Sequence, residues 1–251
     1  MAQGAPGIPD PKLNQLLSCL GPRDWQLIAP HLQSHVLFPG DVLHKAGDEV
    51  THSWFPCGPA SAGFQIGDEN GNAPVAVATI GREGAVGGIV SNGRVPAYTS
   101  AEVRDGGPFF SIRTAQLESL KALSVDLRHW FARYSDCLLA QILQNAACNA
   151  RHTIRQRAAR WLLDAAARTG GAEIRLTQEQ LAMMLGVGRT FLTRTVRELR
   201  ESGLVATRRG VFILKDEPAL RAAACTCSSH VADHYREVMG GIYSHPANGG
   251  R

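Results

Sequence analysis

The chain has 251 residues, 44% hydrophobic and 19% charged, enough apolar material for one large or two ordinary packed domains, which excludes wholesale disorder. No run reaches the roughly 18 uninterrupted apolar residues of a membrane span, and residues 1–11 lack the basic start and apolar run of a secretory signal. The net charge of +4 is unevenly placed: Arg151 to Glu217 holds 13 Lys+Arg against 7 Asp+Glu, leaving 13 against 15 elsewhere, an excess that suits a polyanionic partner or a solvated basic face.

Leu13 to Leu32 carries apolar residues at helical spacing, broken at Gly21-Pro22, which predicts two short helices. From Val36 to Ile112 short apolar runs alternate with turn signals at Pro39-Gly40, Gly47-Asp48, Asn70-Gly71, Asn92-Gly93 and Gly106-Gly107. That rhythm predicts a compact antiparallel roll or barrel, with a hairpin at Asn70-Gly71. Thr114 to Asn149 holds no glycine or proline, and a long helix is expected. Leu127, Phe131, Tyr134, Leu138, Gln141, Asn145 and Cys148 step along it by four and three, one stripe of a heptad. The stripe packs either on the chain's own barrel or on a twin helix; polar Gln141 and Asn145, which would set register, favour the dimer. A further helix over Thr153–Arg168 stops at Gly170-Gly171.

Residues 175–214 are the most informative. Thr177-Gln-Glu-Gln180 has the form of a capping box opening a helix. Gly186-Val187-Gly188 makes a tight turn, and a second helix runs from Arg189 to about Ser202. Its apolar side is Leu192, Val196 and Leu199, and its other side presents Arg189, Thr190, Thr193, Arg194 and Arg197. This is a helix-turn-helix whose second helix fits the major groove, where the arginine fork can bond guanine O6 and N7. Leu204–Thr207 and Val211–Leu214 then flank Arg208-Arg209-Gly210, a hairpin wing with a basic tip for phosphates.

The order of parts resembles the Crp-Fnr superfamily of bacterial transcription regulators, over about Leu13 to Asp216 and most strongly in Leu176–Leu199 (LTQEQLAMMLGVGRTFLTRTVREL). The resemblance implies an α+β chain: a cyclic-nucleotide-binding-like β-roll with N-terminal helices (13–113), a long dimerisation helix (114–150), a winged helix-turn-helix (151–217), and a C-terminal helix and tail (218–251). It implies a homodimer on palindromic double-stranded DNA, with RNA polymerase as a further partner and base reading by Arg189, Thr190 and Arg194. Many members carry Glu where Thr190 stands. Cyclic-AMP-binding members have Gly-Glu, then Arg-[Ser/Thr]-Ala; here Gly87-Gly88 and Tyr98-Thr99-Ser100-Ala101 occupy those places. The expected effector pocket (Gly87, Gly88, Tyr98, Thr99, Ser100) therefore lacks both the ribose-binding Glu and the phosphate-binding Arg, and its effector is unassigned. A cyclic-nucleotide response remains an alternative, as does an effector-independent architectural DNA-binding dimer with a vestigial roll.

No nucleophile elbow, phosphate loop or paired-carboxylate arrangement occurs in residues 1–150, so no enzymatic activity is expected. Six cysteines, at 19, 57, 137, 148, 225 and 227, make no Cys-x-x-Cys pair, which fits a reducing cytoplasm and no membrane association. Cys19 alone lies near the N-terminus, too few for an iron–sulfur ligand set there. No cofactor is expected. In the tail, Cys225, Cys227, His230 and His234 could hold a zinc ion; the other reading is a terminal helix, Ala222 to Met239, with small buried cysteines.

Overall fold

Capping and punctuation set the first elements. Asn14 Oδ1 accepts from the Leu17 amide (3.0 Å) and opens α1 (Gln15–Ser18), and Pro22 begins α2 (Pro22–Ile28). The computed structural model describes residues 10–67, 74–89, 96–169 and 171–240. The turns expected at Asn70-Gly71 and Asn92-Gly93, and Gly170 of the expected helix stop, lie outside them. The chain divides into two compact units. One comprises residues up to Phe64, Thr79–Leu138 and residues from Tyr235 on; the other comprises Gln65–Ala78 and Leu139–His234.

The expected antiparallel roll is present. β1 (Gln33–Leu37), β3 (His52–Pro56) and β7 (Gly107–Arg113) form one sheet in the order β1-β7-β3, with Gln33 opposite Ser111 and His52 opposite Arg113. A four-stranded sheet has the order β2-β6-β4-β5, from β2 (Val42–His44), β4 (Ser61–Ile66), β5 (Val75–Ile80) and β6 (Ser100–Asp105). Period-two side-chain alternation sends Ala101 and Val103 of β6 inward.

The glycine-free stretch from Thr114 is two helices, α3 (Thr114–Leu123) and α4 (Val125–Arg151). The break is Ser124, in extended geometry (φ −136°, ψ 118°), whose hydroxyl accepts from the Leu127 amide (3.2 Å). A serine cap ends one helix and starts the next without glycine or proline. The first half of α4 closes the core of its unit. Leu127 and Phe131 are fully buried with Leu16, Leu17, Ile28 and Phe55. Trp130 Nε1 donates to Leu16 O (3.0 Å), and the buried Tyr134 hydroxyl to Ala85 O (3.2 Å).

In the other unit the α5 helix (Ile154–Thr169) is followed by β8 (Glu173–Arg175), α6 (Gln178–Leu185), α7 (Arg189–Glu201), β9 (Val205–Arg208), β10 (Val211–Leu214) and α8 (Glu217–Ala223). Leu162, Leu181, Leu192, Val196, Leu199, Phe212 and Leu220, none more than 2% exposed, make its core. At about 1.5–3 kcal/mol for each large apolar side chain removed from water, this cluster holds the short helices together. The three-residue β8 has no sequence signal of its own; it pairs with β10 through Ile174 opposite Phe212. The tail is not one helix from Ala222: α8 ends at Ala223 and α9 spans Cys227–Met239. Among the described residues no helix is long and apolar enough to cross a membrane.

Candidate nucleic-acid interface

The expected capping box forms. Thr177 Oγ1 accepts from the Gln180 amide (3.1 Å), and Gln180 Oε1 accepts from the Thr177 amide (2.8 Å). α6 ends at Gly186 in the left-handed region (φ +62°), where the Val187 amide bonds Ala182 O (3.1 Å). Gly188 then caps α7, with no side-chain hydrogen bond and no acid in the first turn. The first-turn amides of α7 and the positive end of its dipole thus meet no side-chain cap and no first-turn acid of the helix itself.

Leu192, Thr195, Val196 and Leu199 anchor α7 inward. Arg189, Thr190, Thr193, Arg194 and Arg197 are all exposed. The structure adds two features to this surface. Phe191 is 61% exposed on the first turn of α7, an apolar plane of the kind that meets a thymine methyl group; being hydrophobic, it is missing from a polar face drawn from the sequence. The arginines also carry acidic neighbours: Arg194 Nε lies 3.5 Å from Glu198 Oε1, and Arg197 Nε 3.7 Å from Glu201 Oε1. Such exposed pairs at i,i+4 contribute about 0.3–0.5 kcal/mol each. Thr193 Oγ1 is engaged within the motif, donating to Arg189 O (3.0 Å).

The wing is β9 and β10, with Arg208 opposite Val211 and Gly210 at φ +71° in the turn. Arg209 is exposed at the tip. Arg208 is held sideways, its Nη2 2.6 Å from Glu173 Oε2 on β8. The two wing arginines are therefore unequal.

Residues 156–223 match the family described as the Crp-like helix-turn-helix domain. The match spans α5 to α8, so this segment is a helix-turn-helix domain of the Crp-like type. Solved structures share the fold of the chain well beyond that domain. A putative transcriptional regulator of the Crp/Fnr family from Eubacterium rectale aligns with a TM-score of 0.67 at 16% identity, covering 84% of this chain and 98% of that one. FixK2 from Bradyrhizobium japonicum aligns at 0.66 and 13% identity over 77% and 98%. The c-di-GMP responsive global regulator CLP of Xanthomonas campestris aligns at 0.65 and 16% identity over 78% and 100%. No curated protein matches the chain.

Among the residues expected to line an effector pocket, the two glycines are closely packed. Gly87 takes φ +114°, and a side-chain carbon there would collide with the backbone oxygen of His52. One at Gly88 would stand 2.9 Å from Thr114 Cγ2. Both glycines are packed against their own unit, so the missing Glu has no room at Gly88. Tyr98 is 86% exposed, Thr99 is half-buried, and Ser100 Oγ accepts from the Ala46 amide (3.0 Å).

The heptad stripe also needs correction. Leu127, Phe131 and Tyr134 belong to the core of their own unit and have no surface for a twin. Leu138 and Gln141 are half-buried. Asn145 is bound within its unit, donating to Val77 O (3.2 Å) and accepting from Arg160 Nη1 (3.2 Å). The exposed apolar row of α4 lies one position over, at Leu139 (54%), Ile142 (39%) and Leu143 (60%). Heptad spacing marks an apolar row but not what covers it.

In the tail His230 and His234 are exposed on α9 and do not join Cys225 and Cys227. Burial pushes the Cys57 thiol up to about 12 and the Cys137 thiol to about 11, as expected of small core residues.

Proposed function

We propose that the chain acts as a cytoplasmic homodimer on a palindromic operator, each protomer placing α7 in one major-groove half-site. Arg189, Thr190, Arg194 and Arg197 face base edges, Thr193 orients the helix start, and Arg209, with Arg208 once freed from Glu173, meets phosphates. The observation that carries this reading is the division of α7 into an anchored apolar side and an exposed side bearing three arginines and a bare N-terminus. Segments 13–113, 114–150, 151–217 and 218–251 serve as sensor, assembly, DNA-reading and tail modules. The exposed row Leu139, Ile142 and Leu143 supplies the two-fold seam. The roll responds to an effector other than a cyclic nucleotide held in the usual way, since Gly87 and Gly88 are filled from behind. DNA-bound dimers act on transcription through RNA polymerase, and no catalytic step is involved.

Selection of bound sequences from random DNA tests this. The expected product is a palindrome whose half-sites are centred about 10–10.5 base pairs, or 34–36 Å, apart. In Arg194→Ala the preference at one base pair of each half-site relaxes by about 1–3 kcal/mol. Enrichment of a single unrepeated half-site, or no enrichment, overturns the reading.

A further inference from the structure

Within the second unit four soft donor groups from separate segments converge. Cys148 lies near the end of α4, and His152 follows one helical turn later, its amide bonding Cys148 O (3.0 Å). Cys225 is in the link between α8 and α9, and Cys227 opens α9. The Cys148 and Cys225 sulfurs are 3.6 Å apart, and Cys227 Sγ and His152 Nδ1 are 3.5 Å apart. All four donor atoms lie within 4.8 Å of one another. We propose that Cys148, His152, Cys225 and Cys227 form a tetrahedral site for one zinc ion.

The distances fit that ion. Zinc bonds of about 2.3 Å to sulfur and 2.0–2.1 Å to nitrogen give tetrahedral edges of roughly 3.8 Å between sulfurs and 3.6 Å between sulfur and nitrogen. An iron–sulfur cluster ligates separate irons through its cysteines and needs donors spread wider than this group. Cys148 and Cys227 are almost wholly buried, at 0% and 1% exposure. Four protein donors in a closed setting make a structural site, with no position left for a substrate. An outer shell is in place as well: Gln144 Nε2 donates to Cys227 Sγ (3.2 Å), the kind of contact that orients a thiolate ligand.

Charge supplies an independent argument. Arg157 and Arg160 are both 7% exposed, and the Nε of each has no hydrogen-bond partner. Among the described residues neither guanidinium pairs with a carboxylate. Arg157 Nη2 donates to Leu185 O and Arg160 Nη1 to Asn145 Oδ1 (3.2 Å), both neutral acceptors. Buried cations need a nearby negative group. Three thiolates around a dication carry a net charge of about −1, the sign that two buried cations of the same unit call for. The ion would fasten the chain that follows α8 to the end of α4, within the unit that contains the helix-turn-helix.

The test uses the full chain purified under reducing conditions, with metal content measured by mass spectrometry and cobalt(II) substituted for the native ion. About one zinc per chain is expected, with tetrahedral ligand-field and thiolate charge-transfer bands in the cobalt form. Cys227→Ser and His152→Ala should lose the metal, whereas Cys19→Ser and the pair His230→Ala, His234→Ala should keep it. A wild-type chain that retains no zinc after incubation with excess metal and dialysis overturns the site, whether or not any variant folds. So do octahedral cobalt bands, dependence on His230 or His234, or a Cys148–Cys225 disulfide in the freshly isolated, thiol-blocked protein.

Discussion

On the proposed dimer, two leucines of α4 separate folding from assembly. Leu127 is fully buried in the core of its unit, whereas Leu143 is 60% exposed on the row shared with Leu139 and Ile142. Fully burying such a side chain stabilises by about 1.5–3 kcal/mol, so each half-exposed member has about 1 kcal/mol left to gain. Three from each protomer across a two-fold axis give a seam of about 6 kcal/mol. Leu143→Glu removes two of the six and sets two carboxylates in the seam, a loss of about 3 kcal/mol or more. The dimer dissociation constant should rise at least about a hundredfold, and operator affinity should fall further than any one DNA contact explains, because the second half-site no longer binds intramolecularly. Leu127→Ala should instead cost about 2–5 kcal/mol of folding stability and leave the association constant of the folded chain unchanged. Sedimentation equilibrium, thermal unfolding and fluorescence-anisotropy titration read the three quantities. A Leu143→Glu chain that sediments as the wild type and binds operator normally refutes the seam.

The wing gives a second contrast. Arg209→Ala should lower the slope of log affinity against log salt by about 0.9, while Arg208→Ala, whose guanidinium is shared with Glu173, changes it less; equal slopes for the two variants would contradict that division. The roll gives a pH dependence. Burial holds His44 below its ordinary value, with Asp48 opposing in part. Unfolded His44 therefore binds protons more readily than folded His44, and stability from this group is complete above about pH 6.5 and lost as pH falls towards the folded value. Unfolding midpoints from pH 7.5 down to 5 should drop less in His44→Gln than in the wild type, and parallel curves would remove His44 as the cause.

The parts of the fold written in local chemistry were legible in advance. The capping box at Thr177, the glycine turn at Gly186 and Gly188, and the apolar side of α7 each depend on neighbours within a few residues. The strand-rich region announced itself through its turns. What the sequence did not carry was partnership. The row from Leu127 to Tyr134 reads the same whether a roll or a twin covers it, and only Trp130 bonded to Leu16 and Phe131 packed on Phe55 decide. Ser124 breaks a helix that glycine and proline counting left whole. Cys225 and Cys227 were visible as soft donors, but spacing pointed to the near histidines; the donors gathered beside them, Cys148 and His152, are more than seventy residues away. Glu173, which holds Arg208, sits on a strand too short to show a period.

On the proposed interface, the acidic neighbours of the α7 arginines bear on how a target is found. Glu198 and Glu201 are tethered beside Arg194 and Arg197, so each carboxylate would compete with DNA at a local concentration that dilution cannot lower. On random sequence an arginine exchanges one oxygen partner for another and gains little. Dwell times there should be short, and the search should be spent moving between sites. On an operator guanine the same arginine gains a second, geometrically fixed bond that a single carboxylate contact does not match. Carboxylates that weaken binding everywhere should thus sharpen the difference between passing over a sequence and stopping on it.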